Sequence, residues 1–215
     1  MKIVERSFFG ALLAGVSIGI GGLVYLSVDN KYLGAFLFAV GLFTVCVMKL
    51  DLFTGRVCYV FEKDGKYALM LPVIWIGNLL GTGIVAMAAR ATRGGAALAE
   101  RAAALCKIKT DDTLLSLFLL GFLCNILIYI AVDGFAKCPH EAGKYLSLVF
   151  GVMVFILAGT EHCIADMFYL WCGGAWDGRA ILSILVITLG NSAGGVFFPL
   201  IKKLINNKDN KEETK

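Results

Sequence analysis

Lys49-Leu50-Asp51-Leu52-Phe53-Thr54-Gly55 and, in the second half of the chain, Gly159-Thr160-Glu161-His162 with Asp166 four positions on, each interrupt a long apolar run at its middle. Charged and polar groups are costly in such a place, so they pair with each other or line a cavity. Two runs broken alike are the feature from which the rest of the chain is read.

The runs on either side are apolar enough to need lipid. The chain has 215 residues, 59% hydrophobic and 17% charged, with a mean hydropathy of +0.80. That leaves too little polar surface for a water-soluble domain. Six apolar stretches run roughly over 3–28, 33–61, 68–91, 112–133, 144–172 and 179–205. Each suffices for a bilayer core that takes ~20 helical residues. Helices satisfy their own backbone in lipid, so an all-α membrane protein with six transmembrane helices is expected, the second and fifth broken.

The halves echo each other. Gly77-Asn78-Leu79-Leu80-Gly81 matches Gly190-Asn191-Ser192-Ala193-Gly194 at an offset of 113, which lays one broken stretch on the other, with Thr54 matching His162. Three spans per half make the second half enter from the opposite face: a 3+3 inverted repeat, whose paired broken helices mark a substrate site at the midplane. Residues 1–205 then form a single transmembrane domain with halves 1–91 and 112–205, and 206–215 a charged cytoplasmic tail. Lys and Arg favour the side of the two termini by eleven to seven, so both termini are expected to be cytoplasmic. The basic segment 90–109 runs against that bias. The first apolar run is too long for a cleavable signal.

Several function classes drop out. The seven cysteines lie mostly in apolar runs without a metal-type spacing, so neither a disulfide framework nor a metal or other cofactor is expected. No nucleic-acid module is present. His162, Glu161 and Cys163 adjoin and point in different directions on a helix, so no enzyme is expected.

Lys49, Asp51, Arg56 and Glu161 each have a possible partner of opposite sign, and ion pairing holding the broken helices together accounts for them. His162 is the one histidine in an apolar span, since His140 adjoins Pro139 in a loop. A buried histidine is usually a hydrogen-bonded core residue. At a helix break it has another use: half-helix N-termini carry roughly +0.5 charge each and attract an anion, to which an imidazole can give a hydrogen bond or a proton.

At these residues the chain resembles the formate–nitrite transporter family, which includes hydrosulfide channels. The marks are Ser7-Phe-Phe-Gly-Ala-Leu-Leu-Ala-Gly15, Leu52-Phe-Thr-Gly55, Leu123-Cys-Asn125, Glu161-His-Cys-Ile-Ala-Asp-Met-Phe168 and Asn191-Ser-Ala-Gly-Gly195, in order over nearly the whole chain. The resemblance implies an aquaporin-like fold and a homopentamer in the plasma (inner) membrane, with one pore per protomer. It places His162, Thr54, Asn191 and the vestibule lysine, Lys109, on the substrate pathway. It makes Phe38 and Phe155 an outer constriction and Leu42, Leu52 and Phe53 an inner one. The 90–109 segment would then be an anion-collecting mouth.

The expected function is passive or proton-coupled transport of formate, nitrite or hydrosulfide, with His162 assisting protonation. The runner-up is a neutral-solute or water channel, disfavoured because none of Pro72, Pro139 and Pro199 follows an Asn as paired Asn-Pro-Ala boxes require. Two residues depart from the family: Thr160 stands where Phe is usual, and Asp166 where Asn is usual. An ionised carboxylate near His162 disfavours an anion, so either Asp166 pairs with a cation such as Lys49 or Arg56, or the substrate differs from formate. The family's amphipathic N-terminal helix is not expected, because the first span starts beside Met1.

Overall fold

The computed structural model describes the backbone of residues 2–212 and the side chains of residues 4–206. The side chains of the tail lysines Lys208, Lys211 and Lys215 lie outside the described residues. Helices make up the ordered elements throughout: α1 (Lys2–Ser27), α2 (Lys31–Val47), α3 (Phe53–Val57), α4 (Gly65–Arg90), α5 (Gly95–Asp111), α6 (Leu114–Lys137), α7 (Glu141–Leu157), α8 (Cys163–Gly173) and α9 (Gly178–Glu212). Among the described residues there is no strand.

Local chemistry sets the helix ends. The Asn30 side chain accepts from the amides of Tyr32 and Leu33, Asp64 from Tyr67, and Thr113 from Ser116. Each satisfies first-turn donors that have no partner within the helix. α8 stops at Gly174, whose φ of 63° suits glycine.

Four helices, α1, α4, α6 and α9, are long and apolar enough to cross a membrane. The two breaks fall where the sequence puts them, between α2 and α3 and between α7 and α8. They are unequal: α3 has 5 residues and α8 has 11. The segment between the halves is itself helical. It forms α5, whose Ala, Leu, Glu, Arg and Lys residues are strong helix formers. α5 packs against α8.

α1 packs chiefly against α4, and α6 against α9, and glycine makes both contacts possible. A Cβ on Gly81 would lie 2.1 Å from the Leu12 carbonyl oxygen, and one on Gly194 would lie 2.0 Å from that of Phe122. Only glycine allows backbones so near. Large apolar side chains such as Phe9, Leu69, Leu115 and Leu189 face outward. A surface that apolar needs lipid as its solvent, and the protein is a multi-pass membrane protein.

Candidate functional site

One device, repeated in each half, holds the broken helices. In the first, Asn78 of α4 accepts from the Phe53 amide at 2.8 Å and donates to the carbonyls of Ala11 and Asp51 at 2.7 and 3.0 Å. In the second, Asn191 of α9 accepts from the Cys163 amide at 2.9 Å and donates to the carbonyls of Gly121 and Glu161 at 2.8 and 2.9 Å. Both asparagines are fully buried. Each ties the first amide of a half-helix, the strand-like turn before it and a neighbouring long helix into one joint. The sequence assigned Asn191 to the substrate pathway. The structure leaves it nothing to offer an anion, because both of its N–H donors are spent on carbonyls. Asn78, visible in the sequence only as part of a repeated motif, does the same work in the other half.

The joints correct the register of the repeat. Phe53 and Cys163, Asp51 and Glu161, and Ala11 and Gly121 are each 110 positions apart, whereas the asparagines are 113 apart. Leu52, not Thr54, therefore stands opposite His162. Thr54 and His162 meet across the breaks, with Thr54 Oγ1 2.9 Å from His162 Nε2.

His162 is the N-cap of α8. Its Nδ1 accepts from the Ala165 amide at 3.2 Å. An amide can only donate, so Nδ1 carries no proton and the neutral ring holds its proton on Nε2. Nε2–H then donates to Thr54 Oγ1, and the Thr54 hydroxyl keeps a proton to offer. Asn125, quoted in the sequence motifs without a role, steadies Thr54 by donating to its carbonyl at 3.0 Å.

Two cavities flank the Thr54–His162 pair. One, of about 240 Å³, lies beneath α5 and is lined by Lys109, Phe155, Glu161, His162, Asp166 and Tyr169 among others. The other, of about 500 Å³, opens on the side of the α3–α4 connection, between Leu42, Lys49, Leu52, Arg56 and Tyr59. Phe155 stacks on the His162 ring at 5.6 Å and meets Phe38 edge-on at 5.9 Å. Phe38, Leu42, Leu52, Phe53 and Phe155 are all buried.

The charges are not distributed as the sequence suggested. Asp51 pairs with Arg56 at 2.5 Å, partly exposed. Lys49 is exposed at the rim, in a left-handed conformation with φ 55°, and meets no carboxylate among the described residues. Asp166 pairs with neither Lys49 nor Arg56. It lies 3.0 Å from Lys109 Nζ, which also holds the Glu161 carboxylate. The cause is tertiary: α5 lies across α8 and delivers Lys109 to the carboxylates, while Lys49 and Arg56 belong to the other cavity. Burial works against the Lys109 charge, but Asp166 and Glu161 outweigh it and hold its pKa above the ordinary lysine value. The other basic groups of the 90–109 segment act largely as staples. Arg90 donates to the Cys172 carbonyl at 2.8 Å, and Arg101 to the Leu26 carbonyl at 2.9 Å and to Asp29 at 2.7 Å.

Known proteins are similar to this chain over most of its length. The chain is 29% identical over 211 residues to the nitrite transporter NirC of Escherichia coli (strain K12), covering 86% of this chain and 78% of that protein. It is 25% identical over 192 residues to the formate channel FocA of Haemophilus influenzae, covering 78% and 66%. Among solved structures it is similar to a pentameric formate channel with formate bound, at a TM-score of 0.82 and 29% identity over 95% of this chain and 98% of the other. An FNT family ion channel gives a TM-score of 0.78 at 26% identity. These relatives are transporters and channels rather than enzymes. The model of the formate/nitrite transporter family matches residues 2–204, and the chain belongs to that family.

Proposed function

We propose that the chain carries a small monovalent anion, formate, nitrite or hydrosulfide, across the plasma membrane by passive or proton-coupled transport. It acts as a homopentamer with one pore in each protomer. Six spans form an aquaporin-like 3+3 inverted repeat, and both termini are cytoplasmic, so α5 faces outward. The similar formate channel is pentameric and holds formate, which supports both the assembly and the substrate class. The repeated asparagine joint supports the paired halves.

The observation that carries this reading is the Thr54–His162 hydrogen bond, set between two cavities at the meeting of two broken helices. Thr54, oriented by His162, is the donor that greets the anion. Phe38 and Phe155 form the constriction on the α5 side, and Leu42, Leu52 and Phe53 the one on the other. Lys109 remains charged in the wall of the outer cavity beside Glu161 and Asp166, and Lys49 and Arg56 stand at the inner one, where Asp51 pairs with Arg56.

Energetics favour crossing as a neutral acid. Stripping a bare anion of water costs on the order of tens of kcal/mol before relaxation. Protonating a carboxylate of pKa ~3.9 at about pH 7 costs roughly 4 kcal/mol. Desolvation in the constriction lowers that further, because an apolar environment favours the neutral form. His162 assists by donating Nε2–H to Thr54 Oγ1, which leaves the Thr54 hydroxyl proton to hold the anion while the transferred proton arrives. A second proton on the ring itself would require giving up the Ala165 cap.

The test is His162→Phe in liposomes, with formate uptake followed under an imposed proton gradient. Removing a hydrogen bond worth about 1.4 kcal/mol at the barrier slows uptake about tenfold. Uptake at the wild-type rate removes His162 from the pathway.

A further inference from the structure

Asp166 stands out in the cavity beneath α5 because its charge is not balanced. Glu161 and Asp166 are 5% and 2% exposed. They share a single ammonium, that of Lys109. Asp166 Oδ2 is buried and has no hydrogen-bond partner among the described residues. Two ionised carboxylates and one ammonium would leave a net negative charge out of water, with one oxygen lacking any donor. Such a group takes up a proton instead.

The surroundings supply no second cation. From α5, Cys106 accompanies Lys109; α8 brings Tyr169 and Cys163; α1 brings Tyr25; α6 brings Cys124. His162 is neutral in the tautomer set by its cap. Lys31 of α2 sits at the rim and donates to the Leu157 carbonyl. Arg90 from α4 is committed to the Cys172 carbonyl, and Arg179 from α9 to those of Thr110 and Asp112.

We propose that Asp166, beside the Lys109–Glu161 pair, holds a proton, and that this proton is the one given to the permeating anion. The proposal rests on the transport reading above and adds the proton's source. The step balances: the carboxyl O–H breaks as an O–H or S–H forms on the anion, leaving a neutral acid and an ionised Asp166. Water on the α5 side then reprotonates Asp166. Both carboxyl groups and His162 line the same cavity, so donor and anion meet there. An asparagine at 166 would leave one carboxylate to one ammonium, with no proton to give.

The test uses the purified protein in liposomes, with infrared spectra recorded against pH and without added anion. The expected result is a protonated-carboxyl band at about pH 7 that fades as pH rises. It disappears in Asp166→Asn and also in Glu161→Gln, because either change leaves one carboxylate paired with Lys109, and it returns in Asp166→Glu. Two separate substitutions keep the test open if one variant fails to fold. A wild-type protein without the band, or a band that survives in either folded variant, overturns the proposal. Formate uptake by the same liposomes provides the second arm. With Asp166→Asn, formate uptake under a proton gradient slows; uptake at the wild-type rate overturns the proposal. Wild-type liposomes that take up no formate, nitrite or hydrosulfide defeat the transport reading instead, and the infrared arm distinguishes that failure.

Discussion

Between α2 and α3 the backbone turns at Lys49, with φ 55°, and between α7 and α8 it turns at Gly159, with φ 68°. Both turns lead through an acidic residue, Asp51 or Glu161, to a half-helix whose first amide is held by a buried asparagine. The scaffold is shared, and the chemistry on it is not. The first break places Leu52 at the N-cap, where it has no side-chain bond to give, and pairs Asp51 with Arg56 at the cavity rim. The second places His162 there, capping α8 through Nδ1, and sets Glu161 against Lys109 in a buried cluster. One half frames the site and the other carries most of its titratable groups, so a structural repeat need not be a functional one.

Breaking the shared part is expected to have the largest effect. Ala at Gly81 or Gly194 drives a Cβ into a backbone carbonyl 2.1 or 2.0 Å away, and backbone cannot rotate aside as a side chain does. Overpacking costs ~1–3 kcal/mol even where neighbours can adjust. Here both variants should lose the folded protein, measured as monodisperse material from detergent-solubilised membranes. Recovery of one variant at wild-type yield would show that the two helix pairs are not equivalent.

The joints come next. Asn78→Leu and Asn191→Leu each strand buried donors and acceptors, at ~1–3 kcal/mol per unsatisfied group. Both should lower thermal stability by similar amounts in purified protein. An Asn191 variant that melts like the wild type but no longer transports would return Asn191 to the substrate pathway.

The ion pairs sharpen the contrast between the breaks. Lys109→Met leaves two buried carboxylates without a cation, and removing one partner of a buried pair costs about 3–5 kcal/mol. Arg56→Met removes a partner that is 40% exposed, and such pairs are worth about 0–1 kcal/mol. Thermal melts should separate the two clearly. Equal shifts would mean that the two breaks are held by charge to the same degree.

Hydropathy made the membrane class and the helical fold legible, because lipid demands long apolar runs and a self-satisfied backbone. The two interruptions were legible for the same reason, since polar residues in such runs need an explanation. His162, Thr54 and Lys109 could be named from motifs and spacing, but their bonds could not. A buried asparagine such as Asn191 looks the same in sequence whether its donors face a pore or, as here, two carbonyls. The ion pairs of Lys109 were out of view because Glu161 and Asp166 lie more than fifty residues away, beyond any local pattern.

By itself the sequence determined what must be buried, where helices break and which side chains can exchange a proton or a hydrogen bond. Only the tertiary structure decided which donors are spent and which remain. That depends on contacts between α4 and α3, α9 and α8, and α5 and α8. Hydrogen bonds and ion pairs act over a few ångströms in space, without regard to distance along the chain.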